Sequence, residues 1–365
     1  MKIKDIINVL EIMAPPGLQE TYDNAGLIIG NREWNCTGAV CALDVTEAII
    51  DEAVERSCNL VVAHHPIIFK GLKRITGNNC VERTIIKAIK SDIAIYAVHT
   101  NLDNIIAGVN GRVADKLGLT NRAILLPKEA TLKKLYTFVP VEQCEQLRTA
   151  LFGAGAGHIG NYSHCSFNTD GAGTFKAEAG TNPFVGVVGE LHIEKEVKIE
   201  VVFPAWLEQT IVETLISTHP YEEPAYDILP LSNTHPHIGS GITGLLPHPM
   251  EENQFLAFLK KTLQTPLIRH TRLTGNPIQR VSFCGGAGSF LISNALTKKS
   301  DIFICADIKY HEFFDADGRM IIADIGHFES EQFTIDLLHD ILLKKFPTFA
   351  ILKTTINTNP VLYYV

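Results

Sequence analysis

The sequence predicts an α/β protein: two α/β halves forming one domain, interrupted by a ferredoxin-like α+β insert. Three observations lead there. Strand and helix patterns alternate through both outer thirds of the 365 residues, as in βα units built around a mainly parallel sheet. Several of those strands stop abruptly at histidines and carboxylates, on the sheet edge where open α/β folds bind ligands. The middle third changes to the period-two alternation of half-buried strands. A chain this long exceeds what one core usually serves. The expected segments are 1–126 for the first half, 127–232 for the insert and 233–365 for the second half.

Ile3 to Met13 reads as an amphipathic helix closed by Pro15-Pro16. A polar loop, Thr21-Tyr-Asp-Asn-Ala-Gly26, leads into Leu27-Ile-Ile-Gly30. The strand Ala39 to Leu43 ends in Asp44, and Thr46 caps the helix that follows. Leu60-Val-Val-Ala63 is a short, largely β-branched buried strand that runs directly into His64-His65-Pro66. A helix near Val81 to Ser91 precedes the strand Ile93 to Val98, which ends in His99-Thr-Asn-Leu-Asp103. A helix over 110–118 closes the first half at Gly118.

In the middle, a strand over Lys133 to Val139 and a helix over Val141 to Phe152 lead to a glycine-rich segment, 153–157. That segment lacks the spacing of either common phosphate-binding loop and reads as a mobile connection. A strand over Lys198 to Phe203, a helix over Ala205 to Ser217 and a strand over Tyr226 to Pro230 complete the insert. The C-terminal third returns to α/β order. A helix over 251–263 is followed by the strand Arg280 to Cys284, which breaks at Gly285-Gly-Ala-Gly288. Strand Asp301 to Ala306 ends in Asp307-Ile-Lys-Tyr-His311. Strand Met320 to Ala323 ends in Asp324-Ile-Gly-His327, and a helix then runs to about Lys345.

The composition, 46% hydrophobic and 20% charged, is that of an ordinary soluble globular protein. A net charge of −8 argues against a nucleic-acid partner, which needs a basic face. No apolar run approaches the roughly 18–20 residues of a membrane span, and acidic residues interrupt what would have to be a signal peptide's apolar core. Eight cysteines without a Cys-x-x-Cys pair fit reduced thiols in a cytoplasmic protein.

The strand-end groups are His64, His65, His99, Asp103, His311, His327 and Glu331, with Asp44, Asp307 and Asp324 beside them. Imidazoles and carboxylates without thiolates suit Zn, Mn or Fe in a hydrolytic site. His327 and Glu331 stand four apart at a helix start and so share one face. The set His64, His65, Asp103, His327 and Glu331 is too large for one catalytic ion and too small to close two. Two divalent ions about 3.5–4 Å apart would use all five and keep open positions.

Six stretches carry a resemblance to a known family: Tyr22-Asp-Asn-Ala-Gly-Leu27, Ala63-His-His-Pro-Ile-Ile-Phe69, Val98-His-Thr-Asn-Leu-Asp103, Cys284-Gly-Gly-Ala-Gly-Ser289, Ala306-Asp-Ile-Lys-Tyr-His311 and Gly326-His-Phe-Glu-Ser-Glu331. In order and spacing the chain resembles the GTP cyclohydrolase 1 type 2 homologues, the NGG-interacting-factor-three-like proteins. The middle third, including Gly155-Ala-Gly-His-Ile-Gly-Asn-Tyr162, resembles the PII-like insert of longer members. The resemblance implies that His64, His65, Asp103, His327 and Glu331 bind a dinuclear centre, Zn first among candidates, inside a toroidal homohexamer. One departure is Cys305-Ala-Asp, where Thr-Gly-Asp is more usual; it leaves the ligand positions untouched.

The family name points to GTP or a similar small anionic substrate, with metal-bound hydroxide attacking guanine C8 and ring opening releasing formate. Asp103 or Glu331 would bridge the ions, His99 or His311 would protonate the leaving nitrogen, and Lys309 would hold a phosphate. Each has a plainer alternative: His99 as a hydrogen-bond partner behind the ligands, Lys309 as a structural lysine. The competing function is a non-catalytic metal-handling or regulatory protein whose insert senses a ligand or partner. No guanine-reading motif or arginine cluster decides between them.

Overall fold

The computed structural model describes residues 1–364. The fold is mixed α/β with several sheets. Residues Met1–Pro127 and Pro236–Val365 form one compact unit, and Lys128–His235 form another.

In the first unit, four short strands come early: β1 (Gly26–Ile29), β2 (Ala39–Ala42), β3 (Leu60–Ala63) and β4 (Ala94–Ala97). Strands β2, β3 and β4 are buried throughout and pair in parallel, as expected where helices cover both faces. Helix Glu47–Glu55, capped by Thr46 as its sequence predicts, joins β2 to β3. Its residues Ile49, Ile50 and Ala53 pack with Val40, Val61 and Ile95 in one core. β5 (Thr120–Pro127) follows a little later.

The second unit holds β6 (Leu132–Pro140), β7 (Phe167–Lys176), β8 (Leu191–Pro204) and β9 (Tyr226–Pro230) in one sheet, with order β7-β8-β6-β9 and every pairing antiparallel. Helices Cys144–Gly153 and Glu208–Thr218 pack on one face through Leu147, Leu151, Ile211 and Leu215. β7 has no counterpart in the sequence prediction. Its segment Asn168-Thr-Asp-Gly-Ala-Gly-Thr174 has no apolar alternation, and its strand identity comes from a continuous backbone ladder with β8. In the 153–157 segment Gly153 ends the helix and residues 154–155 form a turn, after which the Gly157 amide donates to the Val202 carbonyl at 2.8 Å.

The chain then returns to the first unit as β10 (Gly239–Met250), β11 (Arg269–His270), β12 (Ile278–Ala287), β13 (Ile302–Ala306), β14 (Ile321–Asp324) and β15 (Ile351–Lys353). A six-stranded sheet has order β11-β14-β13-β12-β10-β5, parallel only across β12, β13 and β14. The other sheet has order β1-β4-β3-β2-β15. Each sheet therefore takes an edge strand from the other end of the chain: β5 pairs with β10, and β15 lies parallel to β2. The helix expected from His327 to Lys345 is broken in two, His327–Glu331 and Thr334–Lys345. Among the described residues, no helix is long and apolar enough to cross a membrane.

Candidate metal centre

Strand ends deliver the site. The amides of His64 and His65 extend the ladder to β2, donating to the Ala42 and Leu43 carbonyls. Val98 does the same against Ala63, so the β3 and β4 exits are held side by side. From the other sheet, β14 runs through Gly326 into the short helix carrying His327 and Glu331. These groups meet: the rings of His65 and His327 have centroids 5.4 Å apart, and His65 Nε2 lies 2.9 Å from Glu331 Oε2.

Among the described residues, two groups of side chains that could hold a metal ion result, their donor atoms within 4.8 Å of one another: His64, His65 and His99, and His65, His327 and Glu331. Asp103, at the end of helix Thr100–Asp103, brings Oδ1 to 3.6 Å from His64 Nε2, while Glu331 Oε1 lies 3.9 Å from that nitrogen. His64 is fully buried. Its Nδ1–H donates to the Val98 carbonyl at 2.8 Å, which puts the lone pair on Nε2. That Nε2 and Asp103 Oδ1 are both buried without a hydrogen-bond partner. Orphaned buried polar atoms are costly and rare. A lone pair and a carboxylate oxygen facing one another fit a shared cation, and nitrogen and oxygen donors without thiolate fit Zn, Mn or Fe.

Carboxylates stand behind three of the imidazoles. His65 Nδ1 meets Asp44 Oδ1 at 2.7 Å, His99 Nδ1 meets Asp23 Oδ1 at 2.7 Å, and His327 Nδ1 meets Asp307 Oδ2 at 2.6 Å. This backing fixes ring orientation and raises ligand basicity, as behind metal-bound histidines generally. Burial opposes charging His65, but Asp44 and Glu331 carry its pKa up to about 10. Burial likewise opposes His327, and Glu331 with Asp307 takes it up to about 9. Against the cost of its own burial, Glu331 is held well below the usual carboxylate range by bonds to the surrounding imidazoles. Burial, then the charge of Glu331, pushes Asp103 well above it.

Backbone close to the carboxylate matters as much. Gly286 has φ +62°, and a Cβ there would overlap Glu331 Oε1. Its amide donates to Ser330 Oγ at 2.9 Å. Asn110 links both sides, donating to the Asp103 carbonyl at 3.0 Å and accepting from the Gly285 amide at 2.9 Å.

All five expected ligands, with His99, are thus neighbours. Lys309 and His311 are exposed; His311 stacks on Phe314 and meets Tyr310 edge to face, and neither joins the two ligand groups. Asp324 is buried and accepts from Arg269 and the Ile308 amide, a structural role. Sequence reasoning missed Asp23 although it lies in the Tyr22-to-Leu27 stretch; its position before Asn24-Ala-Gly26 was the available signal. It also missed Thr358, whose hydroxyl donates to Asp44 Oδ2 at 2.6 Å, and nothing near residue 358 signals that contact.

Fold and site together define a mixed α/β protein with a clustered imidazole–carboxylate centre suited to metal. The chain belongs to the Duf34/NIF3 (NGG1p interacting factor 3) family, whose model matches residues 1–360. It is 40% identical over 361 residues to a Halalkalibacterium halodurans protein named GTP cyclohydrolase 1 type 2 homolog, covering 97% of each chain. A Bacillus subtilis protein of the same name is 40% identical over 327 residues, covering 89% of this chain and 88% of that one. Among solved structures, a Bacillus cereus protein related to NIF3 superposes with TM-score 0.86 at 36% identity, covering 100% of this chain and 99% of the other. The Staphylococcus aureus protein SA1388 gives TM-score 0.79 at 29% identity with the same coverage.

Proposed function

We propose that the centre holds two divalent cations, Zn first and Mn or Fe as alternatives, and hydrolyses a small anionic substrate of the nucleotide class. The observation carrying this reading is the buried pair His64 Nε2 and Asp103 Oδ1, without a hydrogen-bond partner among the described residues, beside the group His65, His327 and Glu331, whose Glu331 Oε1 also lies 3.9 Å from His64 Nε2. His64 and Asp103 would hold one ion and His65 and His327 the other, with Glu331 within reach of both pairs. Such ions supply Lewis acidity and lower the pKa of water. Asp44, Asp307 and the Val98 carbonyl keep the imidazoles aimed. His99, anchored by Asp23 and 5.2 Å from the His64 ring, is placed to hand a proton to a leaving nitrogen. It is better situated for that role than the exposed His311.

The name of the relatives supports GTP as the first substrate to try, with opening of the guanine imidazole ring and release of formate. The test is formate release from GTP by metal-replete protein, with Glu331→Ala as control. Turnover lost in the variant supports the assignment. No turnover with Zn, Mn or Fe loaded removes GTP and leaves another hydrolase substrate or metal handling.

The strand order of the second unit supports reading residues 127–232 as a PII-like insert between two α/β halves. A toroidal homohexamer and a cytoplasmic location complete the proposal; light scattering of the purified chain tests the hexamer.

A further inference from the structure

The second unit contains a cavity of about 830 Å³ that is independent of the metal centre and of the hydrolase reading. It lies on the sheet face opposite the two helices. Val197, Ile199 and Val201 of β8 point into the helix-covered core, so the alternate residues Glu196 and Lys198 face the other way. Its floor is opened by Gly171 and Gly173 of β7; a Cβ at Gly173 would overlap Glu196 Oε2. The segments around residues 181–184 and 221–225 wall it, and the Asn182 amide ties them together by donating to Glu222 Oε2 at 3.0 Å.

Chemistry inside the cavity is specific. Glu196 is 7% exposed. Its Oε1 accepts from the Tyr221 hydroxyl at 2.7 Å, and among the described residues no cation or donor meets Oε2. Phe138, Phe175, Phe184 and Tyr221 line the same space, with Phe175 and Phe184 rings 6.0 and 6.4 Å from that of Tyr221. The remaining charged lining is Asp170, Glu178, Glu222 and Glu223 against Lys176 and Lys198. Lys198 is already engaged by Glu200 and lies over the Tyr136 ring. A buried carboxylate without a cation, set among aromatic faces, is the environment that recognises organic ammonium groups.

We propose that this cavity binds a small organic cation: an ammonium group at Glu196 carried on an apolar or aromatic body held by Phe138, Phe175, Phe184 and Tyr221. The ammonium supplies the counter-charge that Glu196 lacks, and the rings bury the body. Neutral and anionic molecules of the same shape are disfavoured by the unpaired carboxylate and the acidic rim.

The test is calorimetric titration of the full-length protein with phenethylamine, 2-phenylethanol and phenylacetate, three probes of one shape and different charge. Expected is binding of the amine, about tenfold or more tighter than the alcohol, with no binding of phenylacetate. Glu196→Gln should lose that preference. Phe184→Ala, at a half-exposed ring outside the helix-packed core, should weaken the amine several-fold with an unchanged circular dichroism spectrum. Equal binding of amine and alcohol, no binding of the amine, or an unchanged amine affinity in folded Phe184→Ala overturns the proposal.

Discussion

His64 Nε2 and Asp103 Oδ1 lie 3.6 Å apart, both buried and both without a hydrogen-bond partner. Two acceptors facing each other across that gap destabilise the fold unless a cation or proton sits between them. Divalent metal should therefore stabilise the protein: thermal denaturation with and without chelator should show a higher Tm for the metal-loaded form. In His64→Ala that increment should shrink while the chain stays folded. Equal Tm values in loaded and chelated wild type would count against the assignment.

Glu331 directs Oε2 to His65 and His327 and Oε1 toward His64, so under the proposed two-ion reading its loss should affect both ions. Glu331→Ala and His65→Ala should lower bound metal, measured by elemental analysis after dialysis, without unfolding the chain. A full metal complement in both variants would sink the ligand set.

Metal uptake should release protons. The pKa of His65 is raised to about 10 and that of His327 to about 9 without an ion, so at neutral pH both are charged, and each must lose a proton before Nε2 can ligate. Apparent affinity should rise as pH climbs from neutrality towards about 9, because fewer protons remain to be displaced. Titration calorimetry in two buffers of different ionisation enthalpy counts the protons. A pH-independent affinity would falsify the idea.

Asp44 and Asp307 act through the imidazoles they hold. Replacing either with Asn should weaken metal binding by roughly 10–100-fold with little change in fold. Thr358→Val removes one hydrogen bond to Asp44 and should cost less, about two- to tenfold, with Thr358→Ser restoring affinity. A chelator-competition assay separates these values.

At Gly286 both the left-handed φ and the closeness of Glu331 Oε1 exclude a side chain. Gly286→Ala should destabilise the protein by ~1–3 kcal/mol and displace the carboxylate, so chemical denaturation and metal content should fall together.

The buried parallel strands were legible because Leu60-Val-Val-Ala63 and its neighbours are continuous apolar runs that can only be interior. The imidazole cluster was legible because those runs end in, or just before, His64, His65, His99 and His327. β7 was not, since its partners, not its residues, make it a strand. β15 was equally hidden: nothing in Ile351-Leu-Lys353 indicates that it pairs with β2. Asp23 and Thr358 act through contacts to His99 and Asp44 far along the chain, and no local pattern encodes such a pairing.

The return of β15 to the edge of β2 has a consequence for biosynthesis. During translation β2 presents an open hydrogen-bonding edge until residues 351–353 leave the ribosome, and His64 waits for Glu331 over much the same interval. Open strand edges are prone to wrong pairing. The nascent chain therefore passes most of its synthesis with its first sheet unsealed, and the imidazoles and carboxylates of the centre come together only once the last third has emerged.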